Sequence, residues 1–214
     1  MSRVRLVLCV LLPFAAGYYL SYLFRSINAV IAGDLSTELG LSAADLGALT
    51  SAYFLVFAAV LLPCGVLLDR YGPRLVDSAL LLLAAVGSLV FALADGVWSL
   101  MLGRALIGLG VAAALMAGLK AIVVWFPPHS IALANGWYIM LGALGALSAA
   151  GPAEVLVQNV GWRSLFAIVA AATAAVALLI LIVVPEKKQV RTAGSTPAIG
   201  FIPRQAKHVG VETQ

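Results

Sequence analysis

The chain has 214 residues, 63% of them hydrophobic and 10% charged, with a mean hydropathy of +1.08 and a formal net charge of +4. So little polar surface excludes a soluble globule and identifies a membrane protein. The positive charge does not make it a nucleic-acid binder either, because the cations sit at the ends of apolar segments rather than in a stripe.

Six apolar spans follow in chain order, at 6–32, 46–68, 75–94, 98–124, 131–157 and 165–184. Each reaches the roughly 20 residues that cross about 30 Å of hydrocarbon. Continuous apolar runs without alternation form helices rather than barrel strands. The predicted fold is therefore all-α, a six-helix transmembrane bundle over residues 1–184. The polar stretch 185–214, with Pro, Gly, Ser, Thr and Lys, reads as a disordered cytoplasmic tail or a linker.

With both ends and the second and fourth loops in the cytoplasm, Arg3, Arg5, Arg70, Arg74, Lys187, Lys188, Arg191, Arg204 and Lys207 lie inside, and Arg163 alone lies outside. That asymmetry sets the orientation. Asp34, Glu38, Asp45 and Asp95 then fall outside, and Trp98, Trp125 and Trp162 are expected as interfacial anchors at span ends. Arg3 and Arg5 followed by the run 6–16 also fit a cleavable leader, but the apolar run continues to residue 32, which suits a tilted span.

In the first span Arg25 lies about 9 Å outward of the midpoint, counting about 1.5 Å per residue. An ionised side chain at that depth faces a cavity or a partner, and a guanidinium with Asn28 on the next turn suits anion binding along a solute pathway. The other reading is an arginine that snorkels to the outer headgroups. Between the second and third spans stands Gly65-Val66-Leu67-Leu68-Asp69-Arg70-Tyr71-Gly72-Pro73-Arg74. Gly72-Pro73 breaks helices, so Leu67 is predicted to close one helix and Leu75 to open the next, with Asp69, Arg70 and Arg74 at the water interface. There Asp69 can accept from the free N–H groups of a helix start, and Arg74 can pair with a carboxylate.

Arg104 sits about two turns into the fourth span, where it either snorkels outward or forms a buried ion pair. Lys120, near the other end, is expected to reach cytoplasmic headgroups. Gly110, Ala114 and Gly118 in this span, and Gly142, Ala146 and Ala150 in the fifth, recur every four residues and form a code for close helix approach. Gly151-Pro152 is a candidate bend in the fifth span.

The spacing G-x-L-x-D-R-x-G-x-R at 65–74 resembles the loop between the second and third helices of the major facilitator superfamily of transporters. Tyr19 to Asn28 is similar to the first helix of members that exchange organic phosphates or carry small organic anions, and the resemblance gives Arg25 the role of substrate contact held there by the helix-one arginine. Arg104 and Gly108 resemble the R-x-x-x-G of proton-coupled members, with Ile107 in place of the usual Gln. Gly142 and Gly151-Pro152 resemble part of an antiporter motif, although Val155-Leu156 stand where a Gly pair is expected. Trp125-Phe126-Pro127-Pro128, Ala134-Asn135-Gly136 and Gly161 to Phe166 are further landmarks, so the resemblance extends to about residue 185.

The resemblance implies a secondary active carrier that works by alternating access on a small anionic solute. It implies gating at Gly65, Asp69, Arg70, Gly72 and Arg74, and a coupling or buried charge at Arg104. Family members have two six-helix halves with solute held between them near the midplane, and this chain carries one. Its expected partners are therefore the bilayer, the solute, and either a carboxyl-terminal half or a second copy related by a twofold axis along the membrane normal. The expected setting is a bacterial inner membrane.

Other classes find less support. His129 and His208 lie outside the spans, and neither G-x-S-x-G nor H-E-x-x-H occurs, so no enzyme, metal site or cofactor is expected. Cys9 and Cys64 lie within apolar runs and serve as small hydrophobes. An Asn-Pro-Ala pair and a carbonyl filter are absent, which argues against a channel. A helical scaffold that only binds partners is the alternative function, and Arg25, Asn28 and Arg104 within the spans argue against it.

Overall fold

A computed structural model describes residues 3–185, so the predicted tail from 186 onward, with its lysines, arginines and His208, lies outside the described residues. Six helices are long and apolar enough to cross a membrane: α1 Val4–Leu39, α2 Ala43–Tyr71, α3 Pro73–Ala92, α4 Val97–Trp125, α5 Pro128–Ala150 and α6 Pro152–Val183. The described residues contain no strand, and the bundle is all-α as expected.

Local chemistry explains the helix ends and irregularities. In α1 the ring of Pro13 crowds the carbonyl four residues back, and the turn widens there into a π-helix over Val7–Leu11. Gly40, at φ 65°, stops α1 in a conformation that glycine adopts without strain. Ser42 caps α2, since its hydroxyl accepts from the Asp45 N–H at 3.2 Å while the Asp45 carboxylate accepts from the Ser42 N–H at 2.9 Å. In α4 the helix loosens at Ala112 and Ala113. The carbonyls beside that loosening accept from neighbouring helices, Val111 O from the Ser21 hydroxyl at 3.5 Å and Ala114 O from the Tyr138 hydroxyl at 2.5 Å. Hydrocarbon offers a freed backbone group no other partner.

Gly151 leaves helical geometry at φ −128°, ψ −80°, and Pro152, which needs no N–H partner, starts α6. Helix α6 is itself interrupted by Gly161 at φ 79°, ψ 161°. Residues 152–160 therefore continue the fifth crossing past its predicted end, and residues 162–183 make the sixth.

Helix α1 packs on α5 and α6, α2 on α4, and α3 on both α4 and α6. The buried side chains form two layers. One, toward the Gly161 end, holds Phe24, Ile31, Tyr53, Phe91 and Phe166; the other, toward the Gly72 end, holds Phe14, Cys64, Leu81, Ala117 and Ile180. Where two backbones nearly touch, the residue is glycine. A Cβ at Gly108 of α4 would collide with Tyr53 O of α2 and lie 3.2 Å from Tyr53 Cα, and one at Gly110 would lie 2.5 Å from Leu80 O of α3. Lipid supplies no hydrophobic drive between helices, so such close van der Waals contact is what binds them. In the fifth crossing the small-residue stripe differs from the expected one. Gly142, Gly145 and Ala149 are buried while Ala150 is exposed, because the contact with α1 follows the 3.6-residue turn rather than a strict period of four.

Adding a side chain at Gly108 should force α2 and α4 apart. We expect Gly108→Val to cost about 1–3 kcal/mol or more through overpacking, read as a lowered melting temperature of the chain purified in detergent. Gly136→Ala, where nothing lies within 4 Å of the added carbon, should show no such loss.

Candidate functional site

The charged residues inside the bundle divide into one that is closed off, one that is half open and one that has no partner. Arg104 of α4 is the closed one, with 1% of its surface exposed. It donates to Phe24 O of α1 at 3.1 Å and to the Asn28 side-chain oxygen at 2.5 Å, and its guanidinium lies over the rings of Phe91 and Phe166 at 4.8 and 5.5 Å. The sequence offered an ion pair or outward snorkelling, and the structure shows neither. A carbonyl, an amide and two ring faces disperse the charge instead, which is a workable setting for a weakly hydrated guanidinium.

Asn28 is correspondingly engaged. Its amide nitrogen donates to the Thr50 hydroxyl of α2 at 2.8 Å, which in turn donates to Leu46 O at 3.0 Å. Asn28 thus links α4, α1 and α2, so it is joined to Arg104 rather than to Arg25.

Arg25 is half-buried, and its guanidinium sits over the rings of Phe57, Tyr22 and Phe54 at 5.0, 5.2 and 6.0 Å. Phe57 lies about 21 Å along α2 from Ala43 at 1.5 Å per residue, and Tyr22 is one turn back along α1. The group therefore points toward mid-depth, away from the nearer headgroups. Among the described residues its buried Nε meets no acceptor, and the buried hydroxyl of Tyr53 has no hydrogen-bond partner. Tyr53, Phe54 and Phe57 form a stacked and edge-on aromatic run on α2. Sequence reading missed this wall because aromatics in an apolar run look like ordinary core; their spacing at 53, 54 and 57 was the available signal.

At the Gly72 end, α2 runs on to Tyr71 and α3 begins at Pro73, so Gly72 alone (φ 81°, ψ 161°) forms the link, and Leu67 and Leu75 do not bound the helices. Proline suits the first helical position and glycine suits positive φ, so the turn needs no further residue. Asp69 and Arg70 then belong to the last turn of α2, and Arg74 to the first turn of α3. Lys120 donates to Asp69 at 2.5 Å and to Leu68 O at 2.7 Å instead of reaching headgroups. Arg74 finds no carboxylate among the described residues; it donates twice to Leu181 O, once at 3.0 Å. Leu181 and Leu68 both lie in a last helical turn, where a cation is favoured; Leu68 O also accepts from the Gly72 N–H at 3.1 Å, whereas the residue four past Leu181 is Pro185, which has no N–H to offer. Arg70 rests over the Tyr71 ring at 5.3 Å.

At the opposite end Glu38 accepts from Arg163 and, at 2.6 Å, from the Trp162 indole, while Arg163 also donates to Ala94 O at 3.1 Å. Trp162 is 3% exposed, so it is a core residue and not the expected interfacial anchor, whereas Trp98 is 83% exposed. The residue with no partner is Asp77, which the sequence reading passed over. It is fully buried in α3, and neither carboxyl oxygen has a hydrogen-bond partner among the described residues. A carboxylate one turn inside an apolar run was the signal that could have found it.

The family model described as Major Facilitator Superfamily matches residues 14–210. The chain is 35% identical over 130 residues to the nitrate/nitrite transporter NrtP of Picosynechococcus sp., covering 61% of this chain and 24% of that protein. It is 30% identical over 168 residues to a probable L-galactonate transporter of Escherichia coli, covering 78% of this chain and 37% of that protein. A solved bacterial homologue of the human lysosomal transporter Spinster, in an inward-facing and unoccupied conformation, superposes with a TM-score of 0.79 at 23% identity, over 92% of this chain and 47% of that one. The chain thus spans less than half the length of each.

The Arg104 network generates a stability prediction. Asn28→Ala strips a buried cation of its only side-chain acceptor among the described residues, and should cost about 1–3 kcal/mol. Asn28→Asp restores an acceptor with the opposite charge and should recover most of that loss. Melting temperatures of the purified variants test this; an Ala variant as stable as the parent would show that the network holds nothing together.

Proposed function

The chain belongs to the Major Facilitator Superfamily, and from that premise we propose that its six helices form one wall of an alternating-access carrier for a small anionic solute, with Arg25 as the anion contact. The setting of Arg25 carries the reading. It is a half-buried cation at mid-depth, ringed by aromatic faces, and it makes no ion pair among the described residues. The rings offset part of the cost of holding the charge when the site is empty. They also lower the local dielectric, which strengthens the forked bond a guanidinium makes to a carboxylate or similar oxyanion. The relatives named for nitrate/nitrite and L-galactonate transport support an anion.

Asn28 acts in this proposal as a positioning residue, since it ties Arg104 to the helix that bears Arg25. Arg104 serves as the buried charge that anchors this arrangement. The second wall comes from another six-helix unit, either a carboxyl-terminal half or a second copy of the chain. Helices α2 and α5 are its natural docking faces, being the least buried of the six at 17% and 22%. Gly65 lies on α2 with open space around it, and Asp69, 81% exposed beyond its bond to Lys120, is free to exchange that partner for a helix start in the second unit. Gly72, Arg70 and Arg74 hold the rest of this gate, and Gly151-Pro152 supplies a bend in the fifth crossing.

Thermal stabilisation of the purified chain by nitrate, a sugar acid and a short sulfonate tests the site directly. A ligand at a hundred times its Kd should add about 2.7 kcal/mol. Arg25→Lys should weaken this and Arg25→Ala should abolish it, with anion uptake into proteoliposomes falling in the same order. Full stabilisation and uptake by Arg25→Ala would leave Arg25 no part in anion binding. For the gate, Asp69→Asn should slow uptake in the assembled carrier several-fold with little change in anion binding; unchanged turnover would remove Asp69 from the mechanism.

A further inference from the structure

Asp77 stands one turn into α3, where α1 and α6 close over it. Gly17 of α1 lies against the carboxyl and against Leu81. A Cβ there would lie 3.6 Å from Asp77 Oδ2, 3.1 Å from Leu81 and 3.9 Å from Ile180 of α6. Every titratable or charged group that faces it is otherwise occupied or cannot compensate it. Cys64 of α2 and Tyr138 of α5 lie close enough to sense its charge, but the Tyr138 hydroxyl is committed to Ala114 O at 2.5 Å. Tyr18 of α1 donates to Tyr22 at 3.4 Å, Lys120 of α4 is held by Asp69 and Leu68 O, and α6 presents Ile180. Arg74, three residues before Asp77 on α3, is turned to Leu181 O. An ionised carboxylate with no donor in so apolar a place costs far more than neutralising it.

We propose that Asp77 is a proton-holding latch between α3 and α6, protonated when the Gly72 end is closed and ionised when the two helices part; the proposal rests on the transport reading above. In the packing seen here Asp77 is neutral. Positions three apart share a helix face, so a separation of α6 from α3 releases Arg74 from Leu181 O and opens Asp77 to water in the same movement. The carboxyl O–H bond then breaks, the proton passes to water at the Gly72 end of the bundle, and the carboxylate pairs with the freed Arg74. Closure returns Arg74 to the end of α6 and requires Asp77 to be reprotonated first.

Infrared spectroscopy of the intact chain in lipid, produced with isotope-labelled aspartate, tests the first step without any need for transport. Asp34, Asp45, Asp69 and Asp95 are not buried, so a labelled carboxylic-acid C=O band at neutral pH belongs to Asp77. We expect that band in the parent and its complete loss in Asp77→Asn; a parent spectrum with carboxylate bands alone overturns the proposal, even if the variant does not fold. In proteoliposomes the rate of anion exchange by the parent should change as the pH at the Gly72 face is raised, and Asp77→Asn, which cannot ionise, should lose that dependence. A parent rate that ignores this pH, or a dependence that survives in Asp77→Asn, overturns the latch. If the parent takes up none of the anions, the transport reading fails and the gating claim with it, while the infrared band still decides whether Asp77 holds a proton.

Discussion

A guanidinium with no carboxylate, closed inside the bundle, sets how five of the six helices meet. Arg104 reaches from α4 to the α1 backbone, to α2 through Asn28 and Thr50, and to ring faces from α3 and α6. A cation in hydrocarbon must be neutralised or dispersed, and here dispersal draws in nearly every neighbour. The glycines of α4 make this possible by letting α2 and α3 come near enough for short side chains to close the network. Any rearrangement that moved α4 against α1 would strip acceptors from Arg104, so this region serves as the fixed frame against which other parts move.

What could be read in the sequence, and what could not, follows from the same physics. The six crossings and their orientation are legible because hydropathy and Lys/Arg counts are linear properties of the chain. Arg25 and Arg104 stood out for the same reason. The partnerships of those residues were not legible. A helix that is apolar all round carries no stripe to say which way it faces, so nothing in the string tells whether Lys120 looks to headgroups or to Asp69, or whether Trp162 lies at an interface or in the core. Asp77 escaped because it lies near a helix start, where a carboxylate reads as an ordinary end charge; only the rotation of α3 toward α1 and α6 turns it inward.

The bundle also shows cations turning to helix-end carbonyls. Arg74 donates to Leu181 O, and Lys120 and Arg163, beside their bonds to Asp69 and Glu38, donate to Leu68 O and Ala94 O, each carbonyl at or just past a helix end. A carbonyl of this kind can be gained or lost with the sliding of one helix end, whereas a carboxylate pair would bind more tightly and salt would screen it. Such contacts suit a machine whose parts must separate and return.

Gly72 and Gly161 share one backbone conformation, φ 81° and ψ 161° against φ 79° and ψ 161°, and each is followed two residues later by an arginine that donates to a carbonyl of another part of the chain. They lie at opposite faces of the membrane, which makes α2–α3 and residues 152–183 two hairpins of one design, one upside down relative to the other, as nested inverted repeats require. A link of one residue has no slack. Each link ties the two arms of its hairpin together at that end, so the give in this half lies along α1 with its π-turn, along α4 with its loosened middle, and at the Gly151 break between α5 and residues 152–183. Those irregular places are the seams of the molecule, and the hairpins are its panels.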